Sequence, residues 1–228
     1  MTMQDDDKRL AATTAAGEIQ PGMLVGLGTG STAAFLIEHL ARRIRDGLSV
    51  TAVATSDATE RAARAAGINV LPFDDIGHID LAIDGVDEID GSCRAIKGAG
   101  GAMLREKIVA ASATRMIAIG DGSKSVASLG AVPVPVEVLP FARTFVADRL
   151  RRIGATPTLR RASGVGAYRT DQDNLVIDCK FPNLPDPAAI AVQLSAIPGI
   201  LGHGLFLEEI DTAYIAHDGV VRRVDRAR

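Results

Sequence analysis

The stretch Met23–Arg45, MLVGLGTGSTAAFLIEHLARRIR, carries the reading on which the fold turns. Its apolar run Met23–Leu27 reads as a strand, and Ser31–Arg45 as a helix, with Ala34, Leu36, Ile37, Leu40 and Ile44 spaced along one face. Between them Gly26-Leu27-Gly28-Thr29-Gly30-Ser31-Thr32 makes a strand-to-helix turn. Glycines there allow tight turning and close approach, while free amides at the helix start and the hydroxyls of Thr29, Ser31 and Thr32 can ring an anion. The plainer alternative is a structural turn with Ser31 as N-cap. A dinucleotide fingerprint is excluded because Ser31 stands where the third glycine would fall. A P-loop is excluded because no Gly-Lys-Ser/Thr follows.

Outward from this unit the pattern repeats. The runs Ser49–Val53, Leu81–Asp84 and Met116–Gly120 alternate with the Ala-rich stretches Asp57–Ala66 and Leu104–Ser112, as in a parallel sheet with crossover helices. Past Gly130 the texture changes: PVPVEVLP alternates and is punctuated by proline, which predicts an edge strand or the start of a new unit. The order that follows is strand Val132–Val138, helix Phe141–Ile153, strands Thr156–Arg161 and Asn174–Phe181, helix Asp186–Ile197 and strand Gly199–Phe206. That is β-α-β-β-α-β, the ferredoxin-like split unit. Two short segments, Thr212–Ala216 and Val220–Val224, form a hairpin about Asp218-Gly219 and are expected to rejoin the first sheet. The expectation is an open α/β domain of residues 1–130 plus 207–228, with a ferredoxin-like lobe at 131–206.

Bulk properties narrow the function. Of 228 residues, 28 are acidic and 25 basic, a net charge of −3, with 4% aromatics and no Trp. A broad field for nucleic acid or anionic membrane is absent, as are stacking platforms, so neither partner is expected. No apolar run reaches membrane-spanning length, and the start MTMQDDDKRL is acidic, which predicts a cytoplasmic protein. Cys93 and Cys179 stand apart from any CxxC or Cys/His cluster and read as inert thiols. His39, His78, His203 and His217 show no metal-ligand spacing.

Three further segments carry chemistry. Asp84-Gly85-Val86-Asp87-Glu88-Ile89-Asp90 ends an apolar run, so Asp84 and Asp87 sit where ligands bind in open parallel sheets. They can hold sugar hydroxyls or move protons; a solvated acidic turn and a divalent-cation site are the alternatives. Lys97-Gly98-Ala99-Gly100-Gly101-Ala102-Met103-Leu104-Arg105-Glu106-Lys107 opens with a lysine, continues as a flexible loop and enters a helix. It suits proton transfer beside a carbonyl, with Glu106 as base and Lys97 steadying the oxyanion, although a lone helix Glu is more commonly a surface ion-pair partner. Asp121-Gly122-Ser123-Lys124 follows another strand, and Lys124 can serve a phosphate.

Taken in order, GLGTGSTA, DGVDEID, KGAGGAMLREKI, DGSK, PVPVEVLPFA and GILGHGLF closely resemble the ribose-5-phosphate isomerase A family across essentially the whole chain. The resemblance implies a Rossmann-like domain with an inserted ferredoxin-like lobe, and interconversion of ribose 5-phosphate and ribulose 5-phosphate through an enediolate in the non-oxidative pentose phosphate pathway. It implies substrate contacts from Thr29, Gly30, Ser31 and Thr32, from Asp84, Gly85, Val86 and Asp87, from Lys97, Gly98, Ala99 and Gly100, and from Lys124. Glu106 is the implied proton acceptor, Lys97 the oxyanion partner, Asp84 the ring-opening acid/base and Asp87 an orienting group. No metal or other cofactor is implied, and a homodimer or dimer of dimers is. Two positions depart from the pattern. Ala99 interrupts the glycines after the lysine, and Lys180 is more basic than usual for its strand.

Overall fold

Five parallel strands form the frame: β1 (Leu24–Leu27), β2 (Thr51–Ala54), β3 (Ile79–Gly85), β6 (Ala113–Asp121) and β12 (Thr212–His217). Antiparallel β13 (Val220–Asp225) closes one edge, and the sheet runs β13-β12-β6-β3-β1-β2. The computed structural model describes residues 2–164, 166–182, 184 and 186–227. Both sheet faces are covered, which explains why the strands read as apolar runs rather than alternations. β3 sends Leu81 and Ile83, and β6 Ile117 and Ile119, into a core shared with α1 (Met3–Ala16), α2 (Ser31–Arg45) and α3 (Asp57–Ala65). Their alternates Ala82, Met116 and Ala118 pack on the other side with Val109 and Ala110 of α4 (Met103–Ser112).

The order places a switch point between β1 and β3, because the chain leaves β1 for β2 on one side and returns to β3 on the other. Such a point opens a crevice at the strands' carboxyl ends. The glycine turn after β1, Asp84 at the end of β3 and Lys124 just beyond β6 all lie there.

A second, antiparallel sheet has the order β10-β7-β9-β8, built from β7 (Val134–Val138), β8 (Thr156–Leu159), β9 (Leu175–Lys180) and β10 (Ile200–His203). α5 (Arg143–Arg152) and α6 (Pro187–Ser195) supply Val146, Leu150 and Leu194 to its core. Within the PVPVEVLP segment Val134–Val138 is thus a central strand, buried along its whole length, not an edge. Pro135 is tolerated because its carbonyl takes the Gly204 N–H, so its missing N–H falls on the same side, beyond the last pair of β10.

Other expectations shift for local reasons. The run Gly199–Phe206 is not one strand. It breaks at Gly204, after which β11 (Leu205–Phe206) joins a small third sheet, β11-β5-β4, with β4 (Glu88–Ile89) and β5 (Ala95–Ile96). Gly30, rather than Ser31, is the N-cap of α2, and no side chain caps that helix. The acidic start is a helix: Thr2 and Asp5 form a reciprocal capping box, and Ala11, Ala12, Ala15 and Ala16 are buried. Asp7 of this helix accepts the N–H groups of Asp218 and Gly219, anchoring the terminal hairpin. Among the described residues no helix is long and apolar enough to cross a membrane.

Glu88 joins the small sheet to the segment leading into β7. It is buried, and its two oxygens accept the N–H groups of Gly130 at 2.7 Å and Val132 at 2.6 Å. Glu88→Gln turns one acceptor into a donor facing an N–H. It should lower unfolding free energy by about 1–3 kcal/mol, read as a lower urea midpoint with an unchanged m value.

Candidate active site

Asp84 is the first fixed point of the crevice. Its Oδ1 accepts the N–H of Thr29 at 3.0 Å and of Gly85 at 2.7 Å. This proximity explains the second glycine of the turn, because a Cβ on Gly28 would lie 1.9 Å from Asp84 Oδ1. Gly28 therefore makes room for a carboxylate of the protein itself. The Thr29 hydroxyl meets the hydroxyls of Thr55, Ser56 and Thr59. Thr29, Ser31 and Thr32, the expected ring of three, all line the cavity.

Lys97 arrives from β5. Its N–H donates to the carbonyl of Gly204, and a Cβ on Gly204 would stand 2.1 Å from the Lys97 carbonyl oxygen, so glycine is what lets the two backbones pass. The Lys97 Nζ lies 2.8 Å from Asp84 Oδ2 and 3.3 Å from Glu106 Oε2, and it donates to the Gly85 carbonyl. Glu106 sits in the first turn of α4 and points inward rather than at the surface. All three side chains are nearly solvent-free, at 2% exposure for Lys97 and 4% for each carboxylate.

Two acids and one base in a dry place leave an excess negative charge, and that charge tunes the site. Burial pushes the Glu106 carboxyl up to about 8, with Asp84 adding to the rise and Lys97 opposing it. Burial also raises Asp84, against the pull of Lys97 and the Thr29 and Gly85 amides. Burial alone would lower Lys97, but the facing carboxylates outweigh it and hold the ammonium above the ordinary lysine range. With more fixed donors and the shorter ion pair, Asp84 is the better-stabilised anion. Glu106 is the member poised to exchange a proton near neutrality.

A cavity of about 220 Å³ opens beside the triad. Glu106, Lys97 and Asp87 meet Thr29–Thr32, Gly85, Val86, Gly98–Gly100 and Lys124 around it, and Asp84 backs it through Lys97. Asp87 accepts the Ala99 N–H at 2.8 Å, tying the loop after Lys97 to the loop after Asp84. Lys8 of α1 also lines the cavity. It was missed because its helix was read only as an acidic start. Ala99 fits without difficulty, since its carbonyl and N–H both have partners. Lys180 lies elsewhere and donates to the carbonyls of Gly130 and Ala131. Asp7, His217 and Asp218 have ligand atoms within 4.8 Å of one another, but Asp7 is already engaged by the hairpin N–H groups.

The sequence model of ribose 5-phosphate isomerase A (phosphoriboisomerase A) matches residues 51–219. The chain belongs to the ribose-5-phosphate isomerase A family. Ribose-5-phosphate isomerase A of Sphingopyxis alaskensis is 51% identical over 215 residues, 94% of each chain. That of Methanosarcina acetivorans is 45% identical over 225 residues, covering 97% of this chain and 95% of its own. Ribose 5-phosphate isomerase from Plasmodium falciparum superposes with a TM-score of 0.94 at 34% identity, over 98% of this chain and all of its own (100%). A D-ribose-5-phosphate isomerase solved in complex with phospho-erythronic acid gives 0.95 at 33% identity, over 99% of this chain and 100% of its own.

The raised Glu106 pKa has a consequence for stability. Folded Glu106 keeps a proton that the unfolded chain releases near 4.5. Its contribution to stability is therefore full below 4.5 and is lost as pH rises through 8. Urea midpoints measured across that window should fall more steeply for the wild type than for Glu106→Gln, and equal slopes would contradict the raised pKa.

Proposed function

We infer that this chain interconverts D-ribose 5-phosphate and D-ribulose 5-phosphate, with Glu106 carrying the proton between C2 and C1. Family membership over most of the chain supports the reaction. The observation that supports the roles is the contact of Glu106 with a buried ammonium at the edge of a polar cavity.

The chemistry follows from the charges. Pentose phosphates are mostly cyclic, and Asp84, held by two amides and Lys97, is the acid/base proposed for ring opening. Glu106 takes the proton from C2, and the electron pair moves onto the carbonyl oxygen to give an enediolate. Lys97 meets the new negative charge, which the resting carbonyl lacks, so its effect falls on the transition state. Glu106 returns its proton to C1. The hydroxyl proton must also move from O2 to O1, and Lys97 with Asp84, a donor and an acceptor 2.8 Å apart, can relay it. Asp87 orients hydroxyls. Exclusion of water strengthens each of these interactions.

Lys8, Lys124, Ser31 and Thr32, which line the same cavity, are proposed with the uncapped first turn of α2 as a phosphate seat. Support comes from the related isomerase, whose bound phospho-erythronic acid carries both a phosphate and a carboxyl. The reaction is proposed to need no metal, because Lys97 fills the space between Asp84 and Glu106 where a cation would sit.

The four-stranded unit is proposed to be a ferredoxin-like lobe at 131–206, supported by its order β10-β7-β9-β8, on a Rossmann-like domain of 1–130 plus 207–228. A homodimer or dimer of dimers is proposed, with Leu139, Phe141 and Phe145 as exposed apolar surface in its support. The cytoplasm is the proposed location, supported by two buried unpaired thiols, Cys93 and Cys179.

Glu106→Gln should lower turnover of ribose 5-phosphate about a thousandfold or more, measured with a chelator present, while leaving KM nearly unchanged. Near-normal turnover in that variant would remove Glu106 from the mechanism. Lys124→Ala and Lys8→Ala should each raise KM more than they lower kcat and should weaken competitive inhibition by inorganic phosphate, because the seat grips ground state and transition state alike.

A further inference from the structure

Gly98, Ala99 and Gly100 of the loop Gly98–Gly101 line the cavity, and the carbonyl of each accepts from a side chain that does not line it. Each has a donor from the unit that carries the second sheet. Arg160 Nη1 donates to Gly98 O and to Ala99 O, at 2.9 Å each. Tyr168 Oη donates to Gly100 O at 2.9 Å. The guanidinium is itself pinned by Asp178 of β9, through Nε at 2.9 Å and through Nη2. Arg160 and Tyr168 are neighbours because the Tyr168 N–H donates to the Arg160 carbonyl, and the guanidinium lies 5.7 Å from the Tyr168 ring centre.

A peptide group is planar, with its C=O and N–H on opposite sides, so fixing one aims the other. Holding Gly98 O points the Ala99 N–H at Asp87, which accepts it. Holding Ala99 O fixes the Gly100 N–H on the opposite side of the same peptide, in a residue that lines the cavity. Holding Gly100 O sets the Gly101 N–H, which closes the turn on Gly98 O at 2.9 Å. Three glycines in this loop make peptide flips easy, and fixing each residue costs conformational entropy. A charged donor on a carbonyl also polarises the N–H of the same peptide, making it a stronger donor.

We propose that Arg160 and Tyr168 are positioning residues of the isomerase reaction: they lock the peptide planes of Gly98–Gly101 so that Asp87 and the Gly100 N–H are set before substrate arrives. This rests on the functional reading above and adds to it residues outside the substrate cavity. Neither side chain lines the cavity. They act through the loop, so their loss removes preorganisation from the transition state more than it removes ground-state binding.

The test is steady-state kinetics on Arg160→Met, Arg160→Lys and Tyr168→Phe, each checked for folding by circular dichroism at the assay temperature. Arg160→Met keeps the side-chain length without the fork. It should lower kcat at least tenfold with KM for ribose 5-phosphate within about threefold, and the acid limb of its pH profile should stay in place because Glu106 is untouched. Arg160→Lys, able to reach one carbonyl but not both, should fall between it and the wild type. Tyr168→Phe should lose about threefold or more. The inhibition constant of phospho-erythronic acid should rise more than KM does in Arg160→Met. If Arg160→Met does not fold, Asp178→Asn, which unpins the guanidinium, should lower kcat at unchanged KM. A folded Arg160→Met or Asp178→Asn with wild-type kcat and KM would overturn the proposal, as would losses that only track the unfolded fraction. A wild-type chain inactive on ribose 5-phosphate would overturn the functional reading and the clamp together, whereas an active wild type matched by Arg160→Met overturns the clamp alone.

Discussion

A lysine ammonium with 2% exposure is costly to bury, and here Lys97 is stabilised by two carboxylates that would themselves be costly to bury without it. Removing Lys97 leaves two uncompensated carboxylates in a dry site, whereas removing either acid leaves a balanced pair. Two negative charges against one positive also mean that the cluster is over-supplied with base. The surplus appears on Glu106, the acid with the longer ion pair, as a carboxyl that releases its proton near 8 instead of near 4.5. A carboxyl in that range can take a proton from carbon and give it back, and the ammonium that remains beside it matches the charge formed in between. Structural cost and chemical competence thus arise from the same three atoms' neighbourhood.

Much of the surrounding fold brings these groups together from distant parts of the chain. The switch point between β1 and β3 opens the crevice. Gly28 lets Asp84 approach the turn after β1, and Gly204 lets the chain from the second sheet pass along Lys97. Glu88 ties the small sheet to the strand entering that second sheet, and Arg160 and Tyr168 reach from beyond it to the loop on which Ala99 and Gly100 sit. The second sheet is thereby coupled to the cavity wall at Gly98–Gly100, although none of its strand residues is among those that line the cavity.

The residues at strand ends were legible because their spacing is local. A strand, a glycine turn and a helix in succession predict a crevice, and Asp84, Lys97, Glu106 and Lys124 stand beside such turns. Features built on distant pairing were not legible. β4, β5 and β11 are only two residues each, too short to show a period, and β11 pairs with a segment far away in sequence. α1 was hidden because its buried face is alanine, which gives little contrast, although Thr2 and Asp5 at capping-box spacing were a usable signal. PVPVEVLP misled because proline usually marks an edge, and only the end of β10 before Pro135 explains its central place. The glycine turn suggested room for close approach, and at Gly28 the group that approaches is Asp84.

The central claim is that one buried lysine shared between Asp84 and Glu106 leaves Glu106 as a carboxyl that titrates far above its ordinary range. The most direct measurement is a carboxyl ¹³C NMR titration of protein labelled on glutamate, with the Glu106 signal assigned by its loss in Glu106→Gln. A midpoint near 8 in the ligand-free protein is the predicted result. A midpoint in the ordinary carboxylate range, near 4.5, would contradict the account.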